Sequence, residues 1–590
     1  MKDYLLKKYS AGSKTKLKIG GLIKQFTAFL SGEKTKLTVA LIVILINSAA
    51  NVASPLVIGL AIDGFIKDRN WQNLLNFGFI LTGLYLVVAI TQYLQTICTG
   101  TVGQNILFKL RSEVFKKIQS LPLAFFNQNK LGDLISRINS DTDKLNQFFS
   151  QSLNQFVGHT FVLLGVGVFI FFVNWRLALW TMLTGAILLI ITSLLTPYLS
   201  KRNRLSLQSL GNLSAEVQES LSYFKVIVLF DRRDFFKNNF KKVNDENFAM
   251  SVRSGVANNL SGPIYDLANN LAMAIVLLVG ILMISKGELT IGILVAFLGY
   301  TDRFYSPLRQ MAQVWSNTQL AFAAWIRVSE ILNLKSDLVV VKTDIKKNKK
   351  SLDLMKFEKV YFSYDNKKQV LSNVNFSLEK GKTYAVVGPT GGGKSTTAAL
   401  MCRLYDPTSG VIYFEGKDIR SFENEELSRK LGFILQEQYI FSGTVGENIV
   451  YGNPDFEIYQ KEKLEDILKK NGLEVLISRF ENGLETEVTP NTEMISLGQK
   501  QLISFIRAII RKPKLLVMDE ATANIDTITE RLLQKILDKL PTDTTTVIIA
   551  HRLNTIKNAD QIYFVNDGEL VTAESLEKSL EMIENSRRKS

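Results

Sequence analysis

Long apolar runs separated by polar stretches dominate the first 330 residues of the chain. A helix needs about 20 apolar residues to cross a hydrocarbon core. Six runs are of this class: Leu37 to Phe65, Leu74 to Ile97, Phe156 to Val173, Leu177 to Leu199, Ile264 to Ile284 and Leu289 to Tyr305. The links between them alternate. Those near Lys67 to Asn73, Asn174 to Arg176 and Lys286 to Glu288 are short, whereas residues 100–152 and 200–257 form long polar loops with helical patterning. The spans are therefore expected to continue past the membrane as helical extensions.

From Leu354 onward the pattern changes to short apolar strands alternating with amphipathic helices, as a mainly parallel sheet covered by helices requires. Tyr384 to Val387 and Leu515 to Met518 read as buried strands, each followed by polar residues at its C-terminal end. That edge is where open α/β sheets bind ligands. The predicted organisation is a basic segment at 1–36, an all-α membrane domain of six helices at 37–330, a charged linker at 331–350 and an α/β domain at 351–590.

Charge fixes the expected orientation. The net charge of +15 could serve a nucleic-acid binder, but its placement argues for a membrane partner instead. Nine lysines face only Asp3 and Glu33 before the first apolar run. Lys109, Arg111, Lys116, Lys117, Arg232, Arg233, Lys241 and Lys242 crowd the two long loops. By the positive-inside rule, both loops and both termini are expected in the cytoplasm of a multi-pass plasma-membrane protein. No nucleic-acid partner is expected. The basic N-terminal stretch leads into a run too long for a signal-peptide core, so no cleaved leader is expected. Cys98, Cys402, His159 and His551 are too few and too scattered for a disulfide framework or a zinc site.

The strongest chemical signal is Gly388-Pro389-Thr390-Gly391-Gly392-Gly393-Lys394-Ser395-Thr396, between a predicted strand and a predicted helix. Glycines in such a loop let backbone N–H groups wrap phosphates, the lysine reaches the terminal oxygens, and the first hydroxyl is offered to Mg²⁺. The second signal is an apolar strand ending in Asp519 and Glu520. Adjacent acids at a strand end also occur in solvated turns, but behind a phosphate loop they read differently. Asp519 then holds Mg²⁺ through its water shell and Glu520 polarises the attacking water.

With these motifs the chain resembles an ATP-binding cassette (ABC) exporter half-transporter over essentially its whole length. The resemblance implies an α/β P-loop nucleotide-binding domain, ATP and Mg²⁺ as cofactors, and ATP-driven export across the bilayer. It implies that Gln436, in FILQEQYIF, contacts Mg²⁺ and the attacking water, and that His551 is the switch histidine near the γ-phosphate. Tyr364, in FSYDN, matches the aromatic residue stacked on adenine, and Asp526 matches the loop that crosses to a partner domain. Gly132 to Arg137 and Tyr223 to Phe230 are the segments expected to carry the two coupling helices.

One departure stands out. Where the family usually has LSGGQ, this chain has Ile495-Ser496-Leu497-Gly498-Gln499. Such a motif serves the ATP site of the opposite subunit, with Ser496, Gly498 and Gln499 toward the phosphates, and Leu497 restricts that approach. The resemblance therefore favours a heterodimer with one complete and one degenerate ATP site. A homodimeric exporter or flippase, or an ATP-gated channel, is the alternative. Within the spans, Asn47, Asn51, Asp266, Asn269 and Asn270 are expected to face the bundle interior or a water-filled cavity. Asp266 is expected either to bind a cationic substrate or to pair with a neighbouring span. The substrate itself, whether small molecule, lipid or peptide, is not specified.

Overall fold

The computed structural model describes residues 4–6, 31–68, 71–336, 338, 340–341, 353–365, 368–456, 458–489, 495–519, 533, 537, 540–549, 559–573 and 578. The chain divides into two compact units that do not follow chain order. One contains residues 6–119 and 131–333. The other contains residues 334–590 together with 1–5 and 120–130.

The first unit is helical: α1 (Lys34–Asp68), α2 (Trp71–Gln119), α4 (Leu131–Val173), α5 (Trp175–Ser222), α7 (Arg233–Ser285) and α8 (Ile291–Leu332), with the short α6 (Phe224–Leu229) between α5 and α7. The equally short α3 (Leu123–Gln128) belongs to the other unit. α7 alone has 53 residues. At 1.5 Å per residue it runs about 80 Å, far more than the roughly 30 Å of a hydrocarbon core, so the extensions expected from the sequence are continuous with the spans.

Five helices, α1, α2, α4, α5 and α7, are long and apolar enough to cross a membrane. The sixth predicted span falls on α8, which has 42 residues but is not among those five. Asp302 and Arg303 interrupt its apolar stretch after Thr301.

Local chemistry sets the helix ends. Asn174 alone separates α4 from α5, and its side chain accepts hydrogen bonds from the N–H groups of Arg176 and Leu177, which closes the first turn of α5. At the start of α8, Asp63 of α1 accepts from Thr290 Oγ1 at 2.5 Å and from the Gly292 N–H at 2.7 Å. That approach needs small residues, since a Cβ on Gly292 would lie 2.0 Å from the Gly59 carbonyl oxygen. Between them, Phe297, Tyr300, Phe304 and Tyr305 of α8 pack with Val166, Ile170 and Leu177 into one buried cluster.

Two π-helical turns, Arg137–Asp141 and Phe148–Ser152, interrupt α4. The first carries a buried ion network. Arg137 is only 1% exposed and donates to Asp133 at 3.0 Å and Glu330 at 2.8 Å, while Arg327 bridges Asp133 and Asp141. A buried guanidinium is tolerated only when paired and hydrogen-bonded in this way. Gly132 to Arg137 is thus the start of a long helix within the helical unit. The short helix that belongs with the α/β unit lies earlier, at α3. Sequence reading misplaced it because the LGD run has no strong stop before it.

The α/β unit holds a four-stranded antiparallel sheet of β2 (Leu371–Glu379), β1 (Asp353–Phe362), β4 (Ser409–Phe414) and β5 (Lys417–Asp418) in that order, a two-stranded pair of β7 (Gly443–Thr444) and β8 (Glu487–Val488), and a larger, six-stranded sheet in the order β12-β11-β3-β10-β9-β6. In the larger sheet β3 (Thr383–Val387), β6 (Leu431–Ile434), β9 (Leu515–Asp519), β10 (Thr545–Ile549) and β11 (Gln561–Asn566) are parallel, and only the edge strand β12 (Glu569–Ala573) is antiparallel. Every residue of β9 and β10 is buried, as expected for strands covered on both faces.

Candidate nucleotide site

The order of parallel strands brings the site residues to one edge. Ile549, the last residue of β10, pairs with Val386 on one side and with Asp519 on the other. Ile434, the last residue of β6, pairs with Met518. The chain therefore leaves β3, β9 and β6 at the same level, within strand spacings of about 4.8 Å. The phosphate loop follows β3, Asp519 closes β9, and Gln436 stands two residues beyond β6, its side chain exposed.

The loop after β3 bends as its glycines allow. Gly391 and Gly393 have φ of +84° and +112°, where a side chain would be strained. A Cβ on Gly388 would lie 2.0 Å from the Val565 carbonyl oxygen, so the loop lies directly against β11. Pro389 and Thr390 form its outer turn, and the Gly392 N–H donates back to the Pro389 carbonyl at 3.1 Å.

Lys394 starts α9 (Lys394–Met401), and its ammonium donates to the carbonyls of Gly388 and Pro389 at 2.9 and 3.0 Å. The cation is held over the loop, where it and the loop N–H groups can donate together to phosphate oxygens. Ser395 is exposed beside it, whereas Thr396 is buried. Asp519 is 8% exposed and α9 packs on its strand.

The Tyr364 hydroxyl lies 3.0 Å from Thr396 Oγ1, so the aromatic residue is tied to the phosphate-loop helix. Burial holds its phenol above the ordinary tyrosine range, and the bond to Thr396 offsets part of that rise. The ring packs edge-on against Phe362 and Tyr405 at 4.8 and 5.2 Å and remains 36% exposed, which leaves surface for a base. Sequence reading missed Tyr405. Its hydroxyl accepts from Asn127 of α3 at 2.7 Å, within the same compact unit, so a ring beside Tyr364 holds the loop helix. Only the long chain separation of the two residues hid this link.

The ISLGQ segment opens α11 (Leu497–Ile509), α10 being Val445–Val450. Ser496 caps it. Its hydroxyl accepts from the Gln499 N–H at 3.2 Å, and Gln499 Oε1 accepts from the Ser496 N–H at 2.8 Å, a reciprocal capping box. Gly498 lies in the first turn. Leu497 is the first helical residue and its side chain is 46% exposed. The backbone accepts leucine here without a left-handed conformation, so the restriction expected of Leu497 falls on what approaches the helix end and not on the fold of this chain.

Glu520, Asp526 and His551 lie outside the described residues. β9 and β10 end one and two residues before Glu520 and His551, respectively. Asp266, by contrast, is described: it pairs with Arg309 at 3.2 Å on an exposed face. Asn269 donates to Asp302 at 3.4 Å.

Comparisons with known proteins agree with this architecture. A family model described as the ABC transporter transmembrane region matches residues 37–308, and one described as ABC transporter matches residues 371–523. The chain is 32% identical over 569 residues to the uncharacterized ABC transporter ATP-binding protein YfiC of Bacillus subtilis, covering 96% of this chain and 93% of that protein. It is 31% identical over 488 residues to a fatty acid ABC transporter ATP-binding/permease protein of Mycobacterium tuberculosis, covering 83% and 76% of the two chains. It is 30% identical over 543 residues to an ATP-dependent lipid A-core flippase of Pectobacterium atrosepticum, covering 92% of each. With a helical membrane region and an ATP-hydrolysing domain in one polypeptide, this integral membrane protein belongs to the ABC transporters of exporter type.

Proposed function

We propose that the chain drives export across the plasma membrane as one half of a heterodimer, with the α/β unit and both termini in the cytoplasm. The observation that carries this reading is the single sheet edge at which Lys394, Asp519 and Gln436 emerge. Tyr364 stacks on adenine, the N–H groups of Gly388 to Gly393 and the Lys394 ammonium bind phosphate, and α9 adds the partial positive charge of its N-terminus. Glu520 orients and polarises the attacking water, Gln436 and His551 border the γ-phosphate, and Asp526 meets the partner domain.

Mg²⁺ suits this donor set, because the exposed Ser395 hydroxyl, the Asp519 carboxylate and the Gln436 carboxamide are hard oxygen ligands. When bound, the ion neutralises charge on the transferring phosphoryl group.

Each ATP lies between one chain's phosphate loop and the other chain's signature. Ser496, Gly498 and Gln499 face the partner's phosphates, with the exposed Leu497 narrowing the approach. The site built on this chain's own Lys394 and Glu520 borrows its signature from the partner and is the complete one. Tyr223, Phe224, Val226, Val228, Leu229 and Phe230 around α6 are all exposed. They form an apolar tip suited to a groove on the partner's ATPase domain, where it transmits domain closure to the spans.

Relatives are named for fatty acids, lipid A core and, in one Bacillus subtilis case, multidrug resistance. The cargo proposed is a small molecule, lipid or peptide, of which these names support the first two.

Base stacking gives a direct test. Tyr364→Ala is expected to weaken ATP binding by about 1 to 3 kcal/mol, the scale of base–aromatic stacking. Equilibrium binding of a fluorescent ATP analogue to the purified chain measures it. An unchanged dissociation constant would place the ring in the core and not in the base site.

A further inference from the structure

From a cavity inside the helical unit we infer the chemical class of the cargo: a solute presenting many neutral hydrogen-bonding groups, amide or hydroxyl, and little apolar surface. This rests on the export reading above and deepens it.

The cavity has a volume of about 800 Å³ and lies among α1, α2, α4 and α8. Sites for small molecules of this size are lined mainly by apolar and aromatic side chains, with a few polar groups for orientation. Here the proportions are reversed. The described lining contains three asparagines and five glutamines but no Phe, Tyr or Trp, and its aliphatic side chains are only Ile44, Val162 and Pro307. Asn47, Asn51, Gln92 and Gln95 of this lining fall within the spans read from the sequence, where polar groups are costly and occur for function or pairing.

Pairing accounts for part of the set. Asn47 donates to Thr91 at 2.8 Å, Arg303 donates to Asn51 at 2.6 Å and to Ser54 at 3.0 Å, and Gln95 donates to Asn154 at 2.6 Å. Arg303 is thereby engaged with the wall. The remainder has no such explanation. The exposed side chains of Gln92, Gln151 and Gln155 make no hydrogen bond among the described residues, and the buried Nε2 of His159 finds none there either.

A second observation points the same way. The π turn Phe148–Ser152 adds a residue to one turn of α4 just before Asn154 and Gln155, and Ser150 and Gln151 within it line the cavity. Such turns shift the face that a helix presents and recur at functional sites. On α8, the break in apolarity at Asp302 and Arg303 falls on the same wall. A carboxamide offers a donor and an acceptor on one group, so this lining matches amides and hydroxyls in either direction and discriminates poorly in favour of a flat apolar ring.

Two sources carry that chemistry, a soluble short peptide and the sugar headgroup of a glycolipid, and the test separates them. The full chain is purified from its native membrane with whatever polypeptide accompanies it and reconstituted in nanodiscs. ATPase rate and direct binding are then measured with a mixed pool of Ser-, Asn- and Gly-containing tetrapeptides, with a glycolipid, and with tetraphenylphosphonium as a lipophilic probe. One of the two polar probes is expected to bind saturably and raise the rate, and the lipophilic probe is not. Gln155→Leu, which removes no hydrogen bond of the fold among the described residues, is expected to raise the half-saturating concentration of that polar probe about tenfold, the effect of losing one well-desolvated hydrogen bond. Direct binding to the unaltered protein keeps the test independent of any variant's folding. Stimulation by tetraphenylphosphonium alone, or by none of the probes, overturns the inference. If Lys394→Ala still abolishes hydrolysis in that case, the ATP-driven reading stands without it.

Discussion

Glu520→Gln is expected to leave ATP bound and to slow turnover by about 10² to 10⁴, the range attributed to a positioned acid–base group. The substitution keeps the shape of the side chain but removes the charge that polarises the attacking water. β9 delivers this position one residue beyond the buried Asp519, at the sheet edge that also carries the phosphate loop and Gln436. Binding should persist because Lys394, the loop amides and Tyr364 are untouched. The check pairs an equilibrium ATP-binding measurement with a steady-state hydrolysis rate on the assembled transporter. Near-normal hydrolysis would move the chemistry to another residue.

The second large effect separates the two ATP sites. Lys394→Ala is expected to remove most activity of the assembled transporter, because its ammonium, now held by the Gly388 and Pro389 carbonyls, is in the proposed heterodimer the cation of the one complete site. Leu497→Gly should hardly change that site, whose signature comes from the partner. It acts on the partner's nucleotide instead, and raises turnover there only if the partner has its own catalytic carboxylate. Single-turnover hydrolysis by each variant, assembled with an unaltered partner, distinguishes the two. A severe loss on Leu497→Gly would show that the leucine is needed, against a reading in which it only obstructs.

The sequence carried the phosphate loop, the strand ending in Asp519 and the long helices because each rests on local rules: glycine positions, an apolar run of strand length, and apolar stretches near 20 residues. Each predicted span falls on one of α1, α2, α4, α5, α7 and α8. What escaped depends on contacts between distant residues. The bond from Asn127 to Tyr405 joins positions 278 apart, and the pairing of Asp266 with Arg309 spans 43. That pair bears on one alternative. Asp266 has a cationic partner on α8 and does not line the cavity, so the pairing between helices is what the fold displays. Pro122 and α3 escaped as well, because a six-residue helix leaves no periodic signal. Leu497 stands where the family has glycine, and the capping box of Ser496 and Gln499, between residues three apart, sets an ordinary helix start around it.

The asymmetry of the two ATP sites is the central claim, and ATPase rate against assembly state tests it most directly. The chain is purified once alone and once with the polypeptide that accompanies it in its native membrane, and hydrolysis is measured per nucleotide site. The expected result is little turnover by the chain alone, where both sites contain Leu497, and full turnover in the mixed assembly that Lys394→Ala in this chain abolishes. A fully active assembly of this chain by itself, with two equivalent hydrolysing sites, would contradict it.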